Sequence, residues 1–177
     1  MHLDNHYEVA FAAFLRNSRL NYLPVDESRR ASLEDEPVKS IDFIVYGEGP
    51  SRWLIDVKGR KFPSGSTARP SFHWQNWATQ DDVTGLQKWE HFFGTDYRAL
   101  FVFMYQILSC VELPRGTPDI WYWQGFRYLI RAISITDYKS CMRNRSPRWR
   151  TVFLPSQDFQ SLVKPFSEFL DPKEEMS

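Results

Sequence analysis

Little in this chain commits it to a specialised class. Of its 177 residues only Cys110 and Cys141 are cysteine, too few for a disulfide framework and in keeping with a reducing compartment. The longest apolar run, ALFVFMYQIL at 99–108, is about half the length a membrane-spanning helix needs. The opening MHLDNHYE is polar and acidic, unlike a secretory signal. These absences predict a soluble, cytoplasmic protein with no membrane association. No glycine-rich loop is arranged to cradle a phosphate, and no serine or cysteine lies in a motif that would activate it as a nucleophile. There is no internal repeat and no low-complexity tract. Net charge is also missing, since 22 basic side chains balance 22 acidic ones.

What is present is the material for one globular domain. Hydrophobic residues make up 42% of the chain and aromatics 16%. A chain of this length buries roughly two-thirds of its unfolded surface. The expectation is therefore a single domain over 1–177, with a flexible acidic tail at about 171–177. The charge is unevenly spread. Acid gathers in DESRRASLEDE (26–36) and in that tail, whereas Tyr138 to Gln157 contain no acid at all. In that acid-free stretch stand Lys139, Arg143, Arg145, Arg148 and Arg150, with Trp149 among them. A basic stretch of this kind either grips a polyanion or is a solvated face.

Periodicity divides the chain into elements. In NHYEVAFAAFLR, Tyr7, Ala10, Phe11, Phe14 and Leu15 form a helical stripe with Asn5 as cap. The polar stretch 24–38 reads as a loop. KSIDFIVYGEGPSRWLIDVKG predicts a hairpin turning near Gly49, followed by a loop at 61–70. Thr79 caps a helix that runs to about Phe93 and stops at Gly94. YRALFVFMYQI reads as a central strand buried on both faces, FRYLIRAISI as a further strand, and QDFQSLVKPFSEFL as a closing helix interrupted at Pro165. The predicted fold class is α/β, a mixed sheet flanked by helices.

One strand is unusual. WLIDVKGR (53–60) is apolar except for Asp56 and Lys58. With the turn near Gly49, residue i pairs with 98 minus i, which sets Asp42 opposite Asp56. Alternation then predicts Ile41, Phe43 and Val45 against Val57, Ile55 and Trp53 on one face. The other face carries Asp42, Asp56 and Lys58. Opposed carboxylates roughly 5 Å apart repel unless a cation lies between them. Mg²⁺ or Mn²⁺ suits such a pair together with substrate phosphates, and Lys58 stands where it can hold a water or a phosphate oxygen. That combination points to metal-assisted phosphodiester hydrolysis. A purely structural cluster, with Lys58 neutralising a carboxylate, is the alternative. Asp137-Tyr138-Lys139 and Asp171-Pro172-Lys173 share the spacing but lack an opposed acid in an apolar hairpin.

These residues resemble the PD-(D/E)xK nuclease superfamily, which includes type II restriction enzymes and archaeal Holliday-junction resolvases. The likeness rests on the helix carrying a Glu, on Asp42…Asp56-Val57-Lys58, and on the helix and strands that follow. Ser-Ile-Asp stands where Pro-Asp is usual. HYEVAFAAFLR, KSIDFIVYGEG, WLIDVKGRKF, TQDDVTGLQKWEHFFG, ALFVFMY and CMRNRSPRW further resemble an uncharacterised bacterial family with the motif HYExAFE, with Ala12 replacing the final Glu. The resemblance implies a restriction-endonuclease-like fold and a metal-dependent nuclease acting on nucleic acid, with DNA the expected substrate. It makes Asp42, Asp56 and the Val57 carbonyl metal ligands and Lys58 the group that orients water. Glu8 becomes a supporting acid, and Gln87 on the following helix a minor site residue. A helix-capping role for Glu8 beside Asn5 is an alternative reading. The basic segment would contact phosphates. A catalytically inactive module binding nucleic acid or protein remains the competing function, and a homodimer is compatible with either. Phe72-His73-Trp74-Gln75-Asn76-Trp77 offers aromatic faces on which bases stack, or simply core.

Overall fold

The centre of the fold follows from two strands too apolar to lie at a surface. The computed structural model describes residues 5–25, 32–33, 36–37, 41–47 and 50–170. The hairpin turn at 48–49, the acidic tail 171–177 and most of the acidic stretch 26–36 lie outside these. In chain order the elements begin with α1 (His6–Asn17), β1 (Asn21–Pro24), β2 (Ser32–Leu33), β3 (Glu36–Pro37), β4 (Phe43–Tyr46) and β5 (Arg52–Phe62). Next come β6 (Ser64–Ser66), β7 (Arg69–Ser71), β8 (Ala78–Thr79), α2 (Gln80–Phe93) and β9 (Tyr97–Ile107). The chain continues through β10 (Ile120–Trp123), β11 (Phe126–Ser134), α3 (Ile135–Cys141), β12 (Arg143–Ser146) and β13 (Thr151–Phe153). It closes with α4 (Ser156–Leu162), β14 (Lys164–Pro165) and α5 (Ser167–Leu170).

The main sheet has the order β1-β4-β5-β9-β11-β10, with β14 also pairing to β11. β5 and β9 run parallel from Arg52↔Tyr97 to Phe62↔Ile107, and the other pairs are antiparallel. A parallel pair needs a crossover, and the crossover here carries α2. The β4–β5 register is the one the hairpin predicted: Phe43↔Ile55, Ile44↔Leu54, Val45↔Trp53 and Tyr46↔Arg52.

Alternation along β9 divides the core into two layers. Phe101, Phe103 and Tyr105 face Val83 and Leu86 of α2, Tyr138 of α3 and Phe159 of α4. Leu100, Val102 and Met104 face the opposite way, toward Phe11 and Leu15 of α1 and toward Phe166. Each fully buried aliphatic or Phe side chain contributes roughly 1.5–3 kcal/mol by leaving water. Both main helices begin as their caps require. Asn5 accepts from the Tyr7 amide at 3.2 Å. Thr79 and Asp82 form a reciprocal capping box, with Gly94 ending α2.

The structure departs from the sequence reading at four places. Ile41 packs with Leu54 and Phe101, not on the Phe43 face, because the chain bends at Asp42 and loses strand alternation there. The predicted loop at 61–70 contains most of the β6–β7 hairpin, and the polar stretch at 24–38 contains the short β2–β3 pair. The closing helix is two short helices. Between them Lys164–Pro165 pairs with Ala132 and Arg131 as an edge strand, a position that tolerates proline's missing amide.

A glycine fixes the distance between α1 and the sheet. A Cβ built on Gly59 would lie 2.1 Å from the Tyr7 ring, so only glycine lets the start of α1 settle onto β5. Gly59→Ala is expected to lower stability by about 1–3 kcal/mol, the usual range for overpacking. A drop in the urea midpoint that shrinks when Tyr7 is also cut to Ala checks this; equal drops in both backgrounds would refute it.

Candidate active site

β5 brings most of the charged groups together. Leu54, Asp56, Lys58, Arg60 and Phe62 alternate onto the α2 side of the sheet, while Ile55 and Val57 point toward α1. Asp56 is only 5% exposed. The Lys58 ammonium lies 2.6 Å from Asp56 Oδ1 and 2.8 Å from its Oδ2. The same ammonium is 3.2 Å from Asp82 Oδ2 and 5.4 Å above the Phe101 ring. Asp82, 3% exposed, also accepts the Thr79 amide at 2.7 Å. The carboxylate that caps α2 therefore ties that helix to β5 through Lys58.

Asp42 approaches from the edge of the ladder. Its backbone amide donates to the Ile55 carbonyl at 2.8 Å, and its own carbonyl accepts from Val25 at 2.8 Å. Its side chain takes over where β4 has ended: Oδ2 accepts the Val57 amide at 2.6 Å. In a strand the amide and carbonyl of one residue point to the same edge. The Val57 carbonyl therefore faces this edge as well. Burial, then the negative charges of Asp56 and Glu8, hold the Asp42 carboxyl well above the usual carboxylate range. The Val57 amide and Lys58 only partly offset them.

Glu8 is a fourth buried acid, 4% exposed, and Gly59 is what allows α1, which carries it, to settle onto β5. The Asn5 side-chain amide donates to Glu8 Oε1 at 2.6 Å. That is a side-chain contact beside the Asn5 cap, and it holds the carboxylate in place. His6 meets the Tyr128 hydroxyl at 3.0 Å, a packing contact between α1 and β11.

The donor set fits a hard divalent cation. Asp56 and Glu8 both act electrostatically on Asp42 in a buried place, and Lys58 is ion-paired to Asp56. Among the described residues no three His, Cys, Asp or Glu side chains stand grouped as a ready-made cage. Mg²⁺ does not require one, since it usually takes one or two carboxylates and completes its shell with waters and substrate phosphates.

The basic segment is separate but connected. Arg143 and Arg145 lie on β12, an outer strand of the three-stranded sheet β12-β13-β8, and with Lys139, Arg148 and Arg150 they are exposed. β8 runs directly into α2, whose first amide, on Gln80, donates to the Arg150 carbonyl at 2.8 Å. Arg150 also pairs with Asp81 at 3.1 Å, an exposed contact worth about 0–1 kcal/mol. Gln87 lies further along α2, lining a surface depression with Glu90, Arg98 and Thr136.

Two residues escaped the sequence reading. Asp82 was legible only as half of the Thr79 capping box; its pairing with Lys58 depends on how α2 crosses β5. Arg60, two residues beyond Lys58, stacks on Trp77 at 4.2 Å and donates to its carbonyl at 2.5 Å.

Among solved structures, the Holliday junction resolvase Hjc of the archaeal hyperthermophile Archaeoglobus fulgidus is similar to this chain, with a TM-score of 0.52. Identity is 13%, over 94% of this chain and 98% of that one. The fold is thus restriction-endonuclease-like, a mixed sheet with flanking helices. No protein-family model matches the chain, and no curated protein matches it. Among the described residues no helix is long and apolar enough to cross a membrane.

Proposed function

We propose that this chain is a single-domain cytoplasmic nuclease that hydrolyses phosphodiester bonds of DNA with Mg²⁺ or Mn²⁺. The observation that carries the reading is the buried acidic group at the end of β4, where Asp42 reaches the Val57 amide and senses Asp56 and Glu8, with Lys58 beside it. The similarity to a resolvase supports it, and so does the likeness of α1 to the HYExAFE motif, a family relationship that stands as part of the same proposal.

Asp42, Asp56 and the Val57 carbonyl would hold the metal, which supplies Lewis-acid polarisation of the phosphate and an activated water. Lys58, held by Asp56 and Asp82, orients the attacking water and balances charge on the phosphate. Glu8, fixed by Asn5, accepts hydrogen bonds from water at the α1 side. The Arg143–Arg150 hairpin holds the strand through its phosphates.

The basic hairpin makes its own prediction. Replacing Arg143, Arg145 and Arg148 together with Ala should weaken binding to every duplex sequence alike. The salt dependence should flatten by about one unit of slope for each phosphate no longer neutralised. Unchanged affinity for duplex DNA would show a solvated face.

One observation favours the second reading, a nuclease-fold module that binds without cutting. Lys58 is already satisfied by two carboxylates, as a structural ion cluster would have it. Nicking of supercoiled plasmid in Mg²⁺ but not in EDTA decides for the enzyme. Intact plasmid under both conditions, together with duplex binding, decides for the module.

A further inference from the structure

Two residues past Lys58, on the same face of β5, the site gives way to a built surface. The segment between β7 and β8 is neither helix nor strand, yet three successive carbonyls in it are each held by a side chain from the body of the fold. Tyr105 of β9 donates to Gln75 at 2.9 Å, Tyr138 of α3 to Asn76 at 2.8 Å, and Arg60 of β5 to Trp77 at 2.5 Å. The buried Asn76 side chain closes the far side, exchanging two hydrogen bonds of 3.0 Å with the Leu154 backbone. Such bonds hold the segment in one shape.

What this frame presents is a cleft of about 250 Å³ lined by His73, Gln75, Asn76, Trp77, Arg145 and Phe153. Arg60 and Arg145 both lie over the Trp77 ring, at 4.2 and 5.2 Å. Phe72 and Trp149 stand exposed nearby in sequence, one in this segment and one in the basic hairpin. An aromatic wall, a rim of amide and imidazole and an arginine from a hairpin free of acids are the parts that receive an unstacked base and its phosphate.

We propose that this cleft receives one unpaired nucleobase of the bound strand, so that the substrate class is nucleic acid carrying an unpaired nucleotide close to the cut. The proposal rests on the nuclease reading above and adds the substrate's structure to it. Charge complementarity selects this occupant. From Tyr138 to Gln157 the bordering chain has basic side chains and no acid, and Arg60, whose guanidinium lies over the Trp77 ring of the cleft, follows Lys58 by two residues, roughly 7 Å, along β5.

The test is equilibrium binding of the full chain in EDTA, where nothing is cut. Three fluorescent duplexes are compared: fully paired, carrying one central unpaired adenine, and carrying an abasic residue at that position. The wild type should prefer the unpaired adenine about tenfold over the other two, within the range of one base stacked on an aromatic side chain. Gln75→Ala and His73→Ala, both at the rim, should each bring that ratio toward one. Trp77→Ala is avoided because its ring covers Arg60. Equal wild-type affinity for the three duplexes would overturn the proposal, as would an undiminished preference in both rim variants. Failure to bind the fully paired duplex as well would instead refute the nucleic-acid reading on which it rests.

Discussion

Lys58→Ala is expected to slow plasmid nicking by about a hundredfold or more, the usual loss when a positioned proton-transfer or electrostatic group is removed. Mg²⁺ should still bind, and at least as tightly, because the substitution deletes a positive charge 2.6 Å from Asp56. The variant should also be less stable without metal. Asp56 and Asp82, 5% and 3% exposed, both lose their ammonium partner, and breaking a buried pair from one side costs about 3–5 kcal/mol. Added Mn²⁺ should restore much of that stability, since the ion takes over the neutralisation of Asp56. Calorimetric Mn²⁺ titration, melting with and without metal and a nicking assay read these effects separately. Wild-type cleavage by Lys58→Ala would remove Lys58 from the mechanism.

Asp42→Asn should abolish cleavage and metal binding, and Asp56→Asn should share both losses. Only Asp42→Asn is expected to stabilise the metal-free chain. An Asn carbonyl still accepts the Val57 amide, while the negative charge beside Asp56 and Glu8 is gone. The pH dependence follows from the direction of the shift. The folded carboxyl is raised above its unfolded value of about 3.9, so its favourable contribution is present in full below that value. It is lost as pH rises through the folded value. In EDTA at pH 8 the variant should therefore melt above wild type, by about 2–4 °C if the relief is on the order of 1 kcal/mol. The gap should close as the pH falls toward that of the protonated acid. With Mg²⁺ at a hundredfold excess over its Kd, wild type should gain about 2.7 kcal/mol and the variant nothing. An equal metal-induced rise in both proteins would move the ligand role elsewhere.

Much of this was legible because it is local. The β4–β5 register followed from one turn position and the alternation of apolar residues. α1 and α2 followed from Asn5, Thr79 and Gly94, and β9 from a run too apolar to face water. Asp42 reaches the neighbourhood of Asp56 by way of the Val57 amide, which alternation alone does not reveal. Its side chain occupies the place of a ladder carbonyl, and the bend this requires also sends Ile41 to the other layer. β10 went unread because its hairpin turns on Gln124 and Gly125, with φ of 47° and 78°, without the asparagine that usually advertises such a turn. The β12–β13 hairpin is short, its first strand is polar, and it joins the rest of the fold through the pairing of β13 with β8. Asp82 and Arg60 were out of reach for a shared reason. Their partners, Lys58 and Trp77, meet them only once the connection from β5 to β9, which carries both Trp77 and α2, has packed onto the sheet.

The three held carbonyls of Gln75, Asn76 and Trp77 also bear on how the molecule opens. Burial pushes the Tyr105 and Tyr138 hydroxyls up, so both remain O–H donors throughout the working pH range. Peeling this segment away would leave the buried Tyr105 hydroxyl without its acceptor, at about 1–3 kcal/mol, and would take from Tyr138 and Arg60 one of the two carbonyls to which each donates. The Gln75, Asn76 and Trp77 carbonyls are thus held by side chains of the body of the fold and not by a ladder of their own. Although it reads as a loop, the stretch opens with the sheet and not ahead of it. A protease that nicks surface connections should find no early entry from Gln75 to Trp77, whereas Phe72 and His73 just before them are exposed.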